Sequence, residues 1–408
     1  MALDALKAGA QARLDSLGLP TRRDEYWRYT DPRPLLDATV PPAPLPPADA
    51  EPPLFSGLDR IVVTFTDGCF DAAASDLTGA EGLEIAPLAA AGWADDRVGQ
   101  LEAEGHRPVP RPLAALNGVQ AGDGVAIRVT GRVARPVHLL YRRTREDAEV
   151  ALRHVIDLAP GAELTLLETG LPGARANTVM EVEVPAGARF HHIRAQGPGR
   201  QRLVATAIFA RVGAGALFKS FTLAANGTLT RNEAVIDIQG DDAVAHIAGA
   251  ALGDGATGAF HHDDTVFVTH GAERGESRQV FKKVLKNGAV GVFQGKILVK
   301  PGAQKTDGYQ ISQALLLDED SQFLGKPELE IYADDVRCSH GSTTGAIDPT
   351  ALFYLRSRGV PEDAAVAMLV LSFLADAIDE IEDEALKSEI VTRLEGWLTR
   401  HPARHQRD

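Results

Sequence analysis

Toward the C-terminal end of the sequence, the stretch Glu328-Leu329-Glu330-Ile331-Tyr332-Ala333-Asp334-Asp335-Val336-Arg337-Cys338-Ser339-His340-Gly341 sets a cysteine and a histidine two residues apart. On a strand that spacing turns both side chains to one face. A thiolate beside an imidazole can hold iron or zinc, or can pass a sulfur atom and a proton. Two ligands do not close a metal site, so a metal here would need groups from a second chain. The plainer reading of the same residues is a buried thiol with a histidine capping a strand end. Cys69 and Cys338 are the two cysteines of the chain, far apart in sequence. They make neither a disulfide framework nor a Cys-x-x-Cys knuckle. An iron–sulfur cluster typically takes four thiolate-class ligands, more than this chain supplies alone. Cys69, following Asp67-Gly68, reads as a structural thiol.

Other polar clusters reach less far. In His261-His262-Asp263-Asp264, strand alternation sends His261 and Asp263 one way and His262 and Asp264 the other, so the four do not converge. His270 lies further along and is placed to join one of those faces. This segment is expected to be a solvated coil surface, and His191-His192 likewise. The run Arg278-Gln279-Val280-Phe281-Lys282-Lys283-Val284-Leu285-Lys286-Asn287-Gly288 is locally basic. It reads as a solvated strand face, with steering of an acidic partner as the alternative. Gly249 to Gly258 lacks the Walker ending, so no nucleotide is expected on this chain. No Gly-x-Ser-x-Gly elbow or His-Glu-x-x-His pair is present.

Composition narrows the class. The 408 residues suffice for two or three structural regions, and 44% hydrophobic residues suit a globular protein. A formal charge of -14 opposes nucleic acid and anionic membranes. The apolar run from Met368 to Leu374 is too short for a bilayer span. Met1-Ala2-Leu3-Asp4 does not open a secretory signal, which makes a cytoplasmic location the default expectation.

Three regions must position these groups. Residues 1–118 form a helical and mixed region. Ala2 to Leu17 carries Leu3, Leu6, Leu14 and Leu17 among helix-forming residues, and Gly18 and Pro20 stop it. A proline-rich linker runs from Pro41 to Pro53, Ile61 to Phe65 reads as a strand, and Glu81 to Asn117 mixes helix and loop. Residues 119–345 alternate apolar and polar. Met180, Val182 and Val184 point inward with Glu181 and Glu183 outward, and Leu152, His154, Ile156 and Leu158 alternate likewise. Turns at Pro160-Gly161-Ala162, Ala186-Gly187-Ala188, Val212-Gly213-Ala214 and Gln239-Gly240-Asp241 recur at steps of about 26 residues. Such a period predicts a β-solenoid, with a meandering β-sandwich as the competitor. Residues 346–408 are helical: one helix opens at Asp348-Pro349 and ends at Gly359, and the next starts at Pro361. Ala365, Leu369, Phe373, Ala377 and Ile381 make its apolar stripe, and Leu386, Ile390, Leu394 and Leu398 that of a last helix. The tail from His401 onward is expected to fray.

Several blocks, taken in order, resemble the SufB/SufD family. They are Ser277-Arg278-Gln279-Val280-Phe281, Gly295-Lys296-Ile297, Lys305-Thr306-Asp307-Gly308-Tyr309-Gln310, Leu315-Leu316-Leu317, Lys326 to Val336, and Leu352-Phe353-Tyr354-Leu355-Arg356-Ser357-Arg358-Gly359. Tyr26-Trp27-Arg28-Tyr29-Thr30 is similar to the family's early segment, and Cys338-Ser339-His340-Gly341 resembles its SufD branch. The resemblance implies a mainly β fold, a right-handed parallel β-helix flanked by helical regions. It also implies a non-catalytic scaffold subunit of an ATPase-driven iron–sulfur cluster assembly complex. In that complex the β-helix pairs with SufB, the C-terminal helices dock a SufC ATPase, and a homodimer is the arrangement considered for the isolated subunit. His340 matches the histidine that faces a SufB cysteine where the nascent cluster forms, and Cys338 matches its neighbour. The cluster would be transient and shared with SufB, and a flavin is a candidate cofactor of the complex. Arg356, Arg358 and Gly359 are the expected SufC docking block. The rival reading, a carbohydrate-active β-solenoid enzyme, would enlist Asp241-Asp242, Asp263-Asp264 and Asp334-Asp335.

Overall fold

In the computed structural model the chain is described over residues 2–37, 39, 43–45, 53–197, 199 and 201–402. Most of the proline-rich connector and the last six residues lie outside that set. The first helix, α1 (Ala2–Leu17), has the predicted bounds, and Gly18 beyond it takes a positive φ of 73°. After α2 (Arg33–Leu36) come β1 (Ile61–Thr66), β2 (Cys69–Phe70) and β3 (Leu83–Pro87), then α3 (Gln100–Glu104) and α4 (Pro112–Gln120).

Strands then follow without an intervening helix of more than one turn. They are β4 (Val125–Val129), β5 (Val137–Arg142), β6 (Glu149–Leu158), β7 (Glu163–Gly170) and β8 (Arg175–Val184). Next come β9 (Arg189–Gln196), β10 (Leu203–Val212), β11 (Leu217–Ala225), β12 (Leu229–Ile238) and β13 (Val244–Asp254). The series closes with β14 (His261–His270), β15 (Glu276–Lys286), β16 (Val290–Val299), β17 (Asp307–Leu316), β18 (Gln322–Ile331) and β19 (Arg337–Gly345). Three helices end the chain: α5 (Pro349–Ser357), α6 (Glu362–Ile378) and α7 (Glu384–Arg400).

Among the described residues the strands form two sheets. Ten run in the order β19-β17-β15-β13-β11-β9-β7-β5-β1-β2, and nine in the order β18-β16-β14-β12-β10-β8-β6-β4-β3. From β4 onward every pairing is parallel, and odd and even strands alternate between sheets. The fold is therefore a parallel β-solenoid, not a sandwich. The coil length is not constant: Glu168 and Arg194 stack across a step of 26 residues, Arg231 and Asp263 across 32. That drift is why the later turns lose the even spacing of the earlier ones.

One corner repeats as a column. Gly161, Gly187 and Gly215 each take positive φ and donate a backbone hydrogen bond to the next coil. Asp242, Arg274 and Lys305 continue the column at φ 56–59°. In the turns around Gly213 and Gly240 the left-handed corner residues are thus Gly215 and Asp242.

The interior fills with the inward rows, including Met180, Val182, Val184, Phe190, Ile208, Phe218, Ile236 and Phe293. A parallel sheet must cover its outer face too. Leu101, Leu113 and Ala114 of the N-terminal region pack on the even-numbered sheet against Val179, Leu203, Ala205, Ala207 and Phe209. Helices α6 and α7 pack on the odd-numbered sheet, with Val366, Val370, Leu374, Ile378 and Trp397 against Ile193, Phe221, Leu223, Val280 and Val284. Of the predicted α6 stripe, Ala365, Ala377 and Ile381 are buried, while Leu369 and Phe373 are only half-buried and Val366, Val370 and Leu374 take the buried positions between. In α7, Leu386, Ile390, Leu394 and Leu398 are all buried as expected. His401 does not fray; its ring stacks on Trp397 at 4.3 Å.

Candidate functional site

The two ends of the solenoid differ. At the N-terminal end the outermost strands are short and antiparallel, β2 against β1 and β3 against β4. At the C-terminal end the outermost strands are β18 and β19, full-length and parallel to their inner neighbours. No coil stacks beyond them among the described residues, and their side chains are mostly half-buried or exposed. Among the described residues no strand pairs with their outer sides, which leaves an edge open to another chain.

Cys338 and His340 lie on β19, at that edge. Cys338 pairs in register with Gly308 and His340 with Gln310. Both face the interior of the last coil. Cys338 packs against a cluster of Ile297, Val299, Ala303 and Ala333, and a Cβ placed on Gly308 would come 3.2 Å from Cys338 Sγ. Ser342, next in the same inward row, shares a hydrogen bond with Ser312 at 3.0 Å. Cys338 is half-buried and His340 exposed. The reading as a fully buried thiol therefore fails, because no further coil covers it. Burial pushes the Cys338 thiol up, a backbone hydrogen bond from Gly308 works against this, and the Asp307 charge raises it further. Such a thiol keeps its proton near neutral pH until a cation draws it off. Among the described residues no group of three or more His, Cys, Asp or Glu side chains is placed to hold a metal ion. The edge therefore offers two ligand-type side chains and an incomplete site.

Cys69, read as a structural thiol, is instead exposed on the β1–β2 hairpin at the opposite end. Most side chains expected on solvated surfaces elsewhere are buried, since both faces of the middle coils are covered. His262 and Asp264 point inward, where Lys283 Nζ lies 2.8 Å from His262 Nδ1 and 2.6 Å from Asp264. Asp263 points outward, accepts from Thr30 at 2.6 Å and pairs with buried Arg231. His270 joins no ligand set; its Nε2 meets the Ser277 hydroxyl at 2.8 Å. His192 is buried against Glu168 and Ser220, while His191 sits 3.9 Å from Glu382 on the outer face. The basic run is not a solvated face either: Lys282 reaches Asp376 of α6 at 2.9 Å, and Lys286 reaches the carbonyl of His401 at 2.9 Å. Glu181 does point away from the interior, yet α3 covers it and its carboxylate accepts from Gly99 and Glu102 backbone N–H groups.

Of the three acidic pairs that polysaccharide chemistry would enlist, two are engaged in ion pairs. Asp241 and Asp242 pair with Arg274 at a corner, and Asp263 and Asp264 are engaged as above.

The early aromatic segment is a strap across the outer face of the even-numbered sheet. Tyr26 donates to Glu328 at 2.5 Å, and its ring packs on Phe267 at 5.0 Å. Arg231 lies 3.9 Å over the Trp27 ring, and Lys326 pairs with Glu25 at 2.7 Å. These bonds tie the N-terminal region to β18, one of the two edge strands.

Sequence reasoning missed a set of exposed apolar side chains on the C-terminal helices. Phe353 is 73% exposed, Tyr354 54% and Met368 51%. It adjoins the predicted docking block: Arg356 pairs with Glu362 at 3.2 Å, Arg358 lies 4.5 Å over the Tyr354 ring, and Gly359 ends α5 with φ 87°. Side-chain type alone could not reveal it, because Phe353 sits in the same helix as the buried Leu352.

Known proteins resemble this chain in sequence over most of its length. The profile of the SUF system FeS cluster assembly SufBD core domain matches residues 141–373, from β5 into α6. The iron–sulfur cluster assembly protein SufD of Escherichia coli K12 is 31% identical over 94% of this chain and 91% of its own length. A SufBD family protein of Synechocystis sp. PCC 6803 is 26% identical over 94% of this chain and 88% of its own. The chloroplastic protein ABCI7 of Arabidopsis thaliana is 24% identical over 97% and 86%. With the solenoid, its open end and the Cys338–His340 pair already in view, these matches set the chain in the SufD branch of the SufB/SufD family, and it belongs to the SUF iron–sulfur cluster assembly system.

Proposed function

We propose that this chain is a non-catalytic, cytoplasmic scaffold subunit whose open solenoid end pairs with a SufB subunit, and whose C-terminal helices dock a SufC ATPase. The nascent cluster is cargo, formed at the seam between His340, Cys338 and ligands of the partner. The observation that carries this reading is the position of Cys338 and His340 side by side on a bare edge strand. A closed metal site would be complete within the chain, whereas this one lacks half its ligands.

The helical region supports the second part. Phe353, Tyr354 and Met368 are exposed apolar side chains on α5 and α6, with the exposed Arg356 and Arg358 on the same stretch as the first two, a composition that suits a protein partner. Helix α6 is joined to the odd-numbered sheet by the apolar cluster around Val280 and Val284 and by Lys282–Asp376. A movement imposed on α5 and α6 is then passed to the coils next to the seam. Nucleotide state can shift the seam only so far as the docked ATPase dimer prefers one geometry over another.

The test is His340→Ala in the assembled complex. Cluster yield is expected to drop at least tenfold, while both partners still co-purify with the variant. An undiminished yield would remove His340 from the reaction.

A further inference from the structure

The blocks shared with the SufB/SufD family contain three residues that the site above leaves unused: Gln279, Gly295 and Gln310. Gln279, Gln310 and His340 are register partners on the successive strands β15, β17 and β19. Parallel register puts their side chains on one face, as a column with rungs about 4.8 Å apart. Gln279 and Gln310 are fully buried, and Gln310 Nε2 donates to Gln279 Oε1 at 2.8 Å. Gly295, on the facing sheet, makes the room: a Cβ there would lie 2.4 Å from Gln310 Nε2.

The carboxamide nitrogen of Gln310 is thus engaged by the rung below. Its oxygen, Oε1, is buried with no hydrogen-bond partner among the described residues. Native interiors rarely leave such an acceptor unmet. The next donor-bearing side chain in the column is the His340 imidazole, at the open end.

We propose that Gln310 is a positioning residue for His340. Its orphaned oxygen accepts one imidazole N–H, which fixes the tautomer and turns the other ring nitrogen, lone pair outward, toward an incoming metal ion. Histidines that bind metals are commonly oriented in this way, through a hydrogen bond to the ring nitrogen remote from the metal. Gln279 holds Gln310 in place and Gly295 admits it. The inference rests on the ligand role proposed for His340 and adds what prepares that ligand.

The test uses the full chain with its 12 histidines labelled with nitrogen-15. The His340 signals are assigned by their loss in His340→Ala, and long-range proton–nitrogen spectra show which ring nitrogen carries the proton when the imidazole is neutral. His340 is expected in a single tautomer in the wild type. Gln310→Leu, which keeps the bulk and removes the acceptor, is expected to return it to the mixture seen for free imidazole. A free-imidazole mixture in the wild type, or a single tautomer that survives Gln310→Leu, overturns the proposal. The wild-type spectrum decides by itself, so a Gln310→Leu chain that misfolds does not shelter the idea. The ligand role is judged separately, by the cluster yield of His340→Ala.

Discussion

Cys338 is tucked into the last coil because Gly308 has no side chain. Gly308→Ala would set a methyl 3.2 Å from Sγ and 3.4 Å from Ile297, and the sulfur is the freer of the two to move. The variant is expected to swing Sγ toward the open end and speed its alkylation severalfold, at a stability cost of about 1–3 kcal/mol. The rate is measured with iodoacetamide in a Cys69→Ser background, because Cys69 is itself exposed. An unchanged rate would mean that Gly308 does not set the thiol's position. The pairing of Cys338 with His340 on one face was legible from their spacing, since strand side chains alternate strictly. Which face that is was not legible. It depends on how β19 stacks on β17, a matter of coil register that no local pattern carries.

Among the elements, the solenoid strands were plain from alternation, and the fate of their polar residues was not. Alternation separates two faces but does not say that both are covered. His262, Asp264 and Lys283 therefore read as surface and proved to be a buried cluster. Burial raises the Asp264 pKa, with Lys283 opposing, and lowers that of His262 well below its usual value. Lys283→Met leaves Asp264 without its cation and is expected to cost about 3–5 kcal/mol. Lys283→Met combined with Asp264→Leu is expected to recover most of that loss, as removal of both partners of a buried pair often does. Urea unfolding midpoints check both; an additive double variant would show that the two side chains do not act as a pair. The last helix was legible because Leu386, Ile390, Leu394 and Leu398 leave no other apolar stripe. Helix α6 is apolar nearly all round, so periodicity could not choose between the row at Val366, Val370 and Leu374 and the one at Leu369 and Phe373.

For the whole molecule, the covered interior makes stability depend on pH. Burial holds His154 and His270 down at about 4. In the unfolded chain each titrates near about 6.5. Between those values the unfolded state takes up protons that the folded state refuses, so stability is intact above about pH 6.5 and falls as pH drops toward about 4. The loss amounts to roughly 3 kcal/mol for each histidine at the acid end. Unfolding midpoints at about pH 7 and about pH 5 should show it, and His270→Gln should flatten the slope; a midpoint independent of pH would contradict the burial of these rings. Of the two solenoid ends, one is closed by antiparallel strands and the other left bare beside a thiol and an imidazole. The proposed role of the Cys338–His340 edge rests on that asymmetry. Anaerobic reconstitution with iron and sulfide, followed by absorption spectroscopy, tests it most directly. The chain alone is predicted to hold no cluster, and the chain mixed with SufB, the proposed partner, to hold one that the Cys338→Ser, His340→Ala double variant loses. A stable cluster on the isolated chain, or one indifferent to both substitutions, would contradict the account.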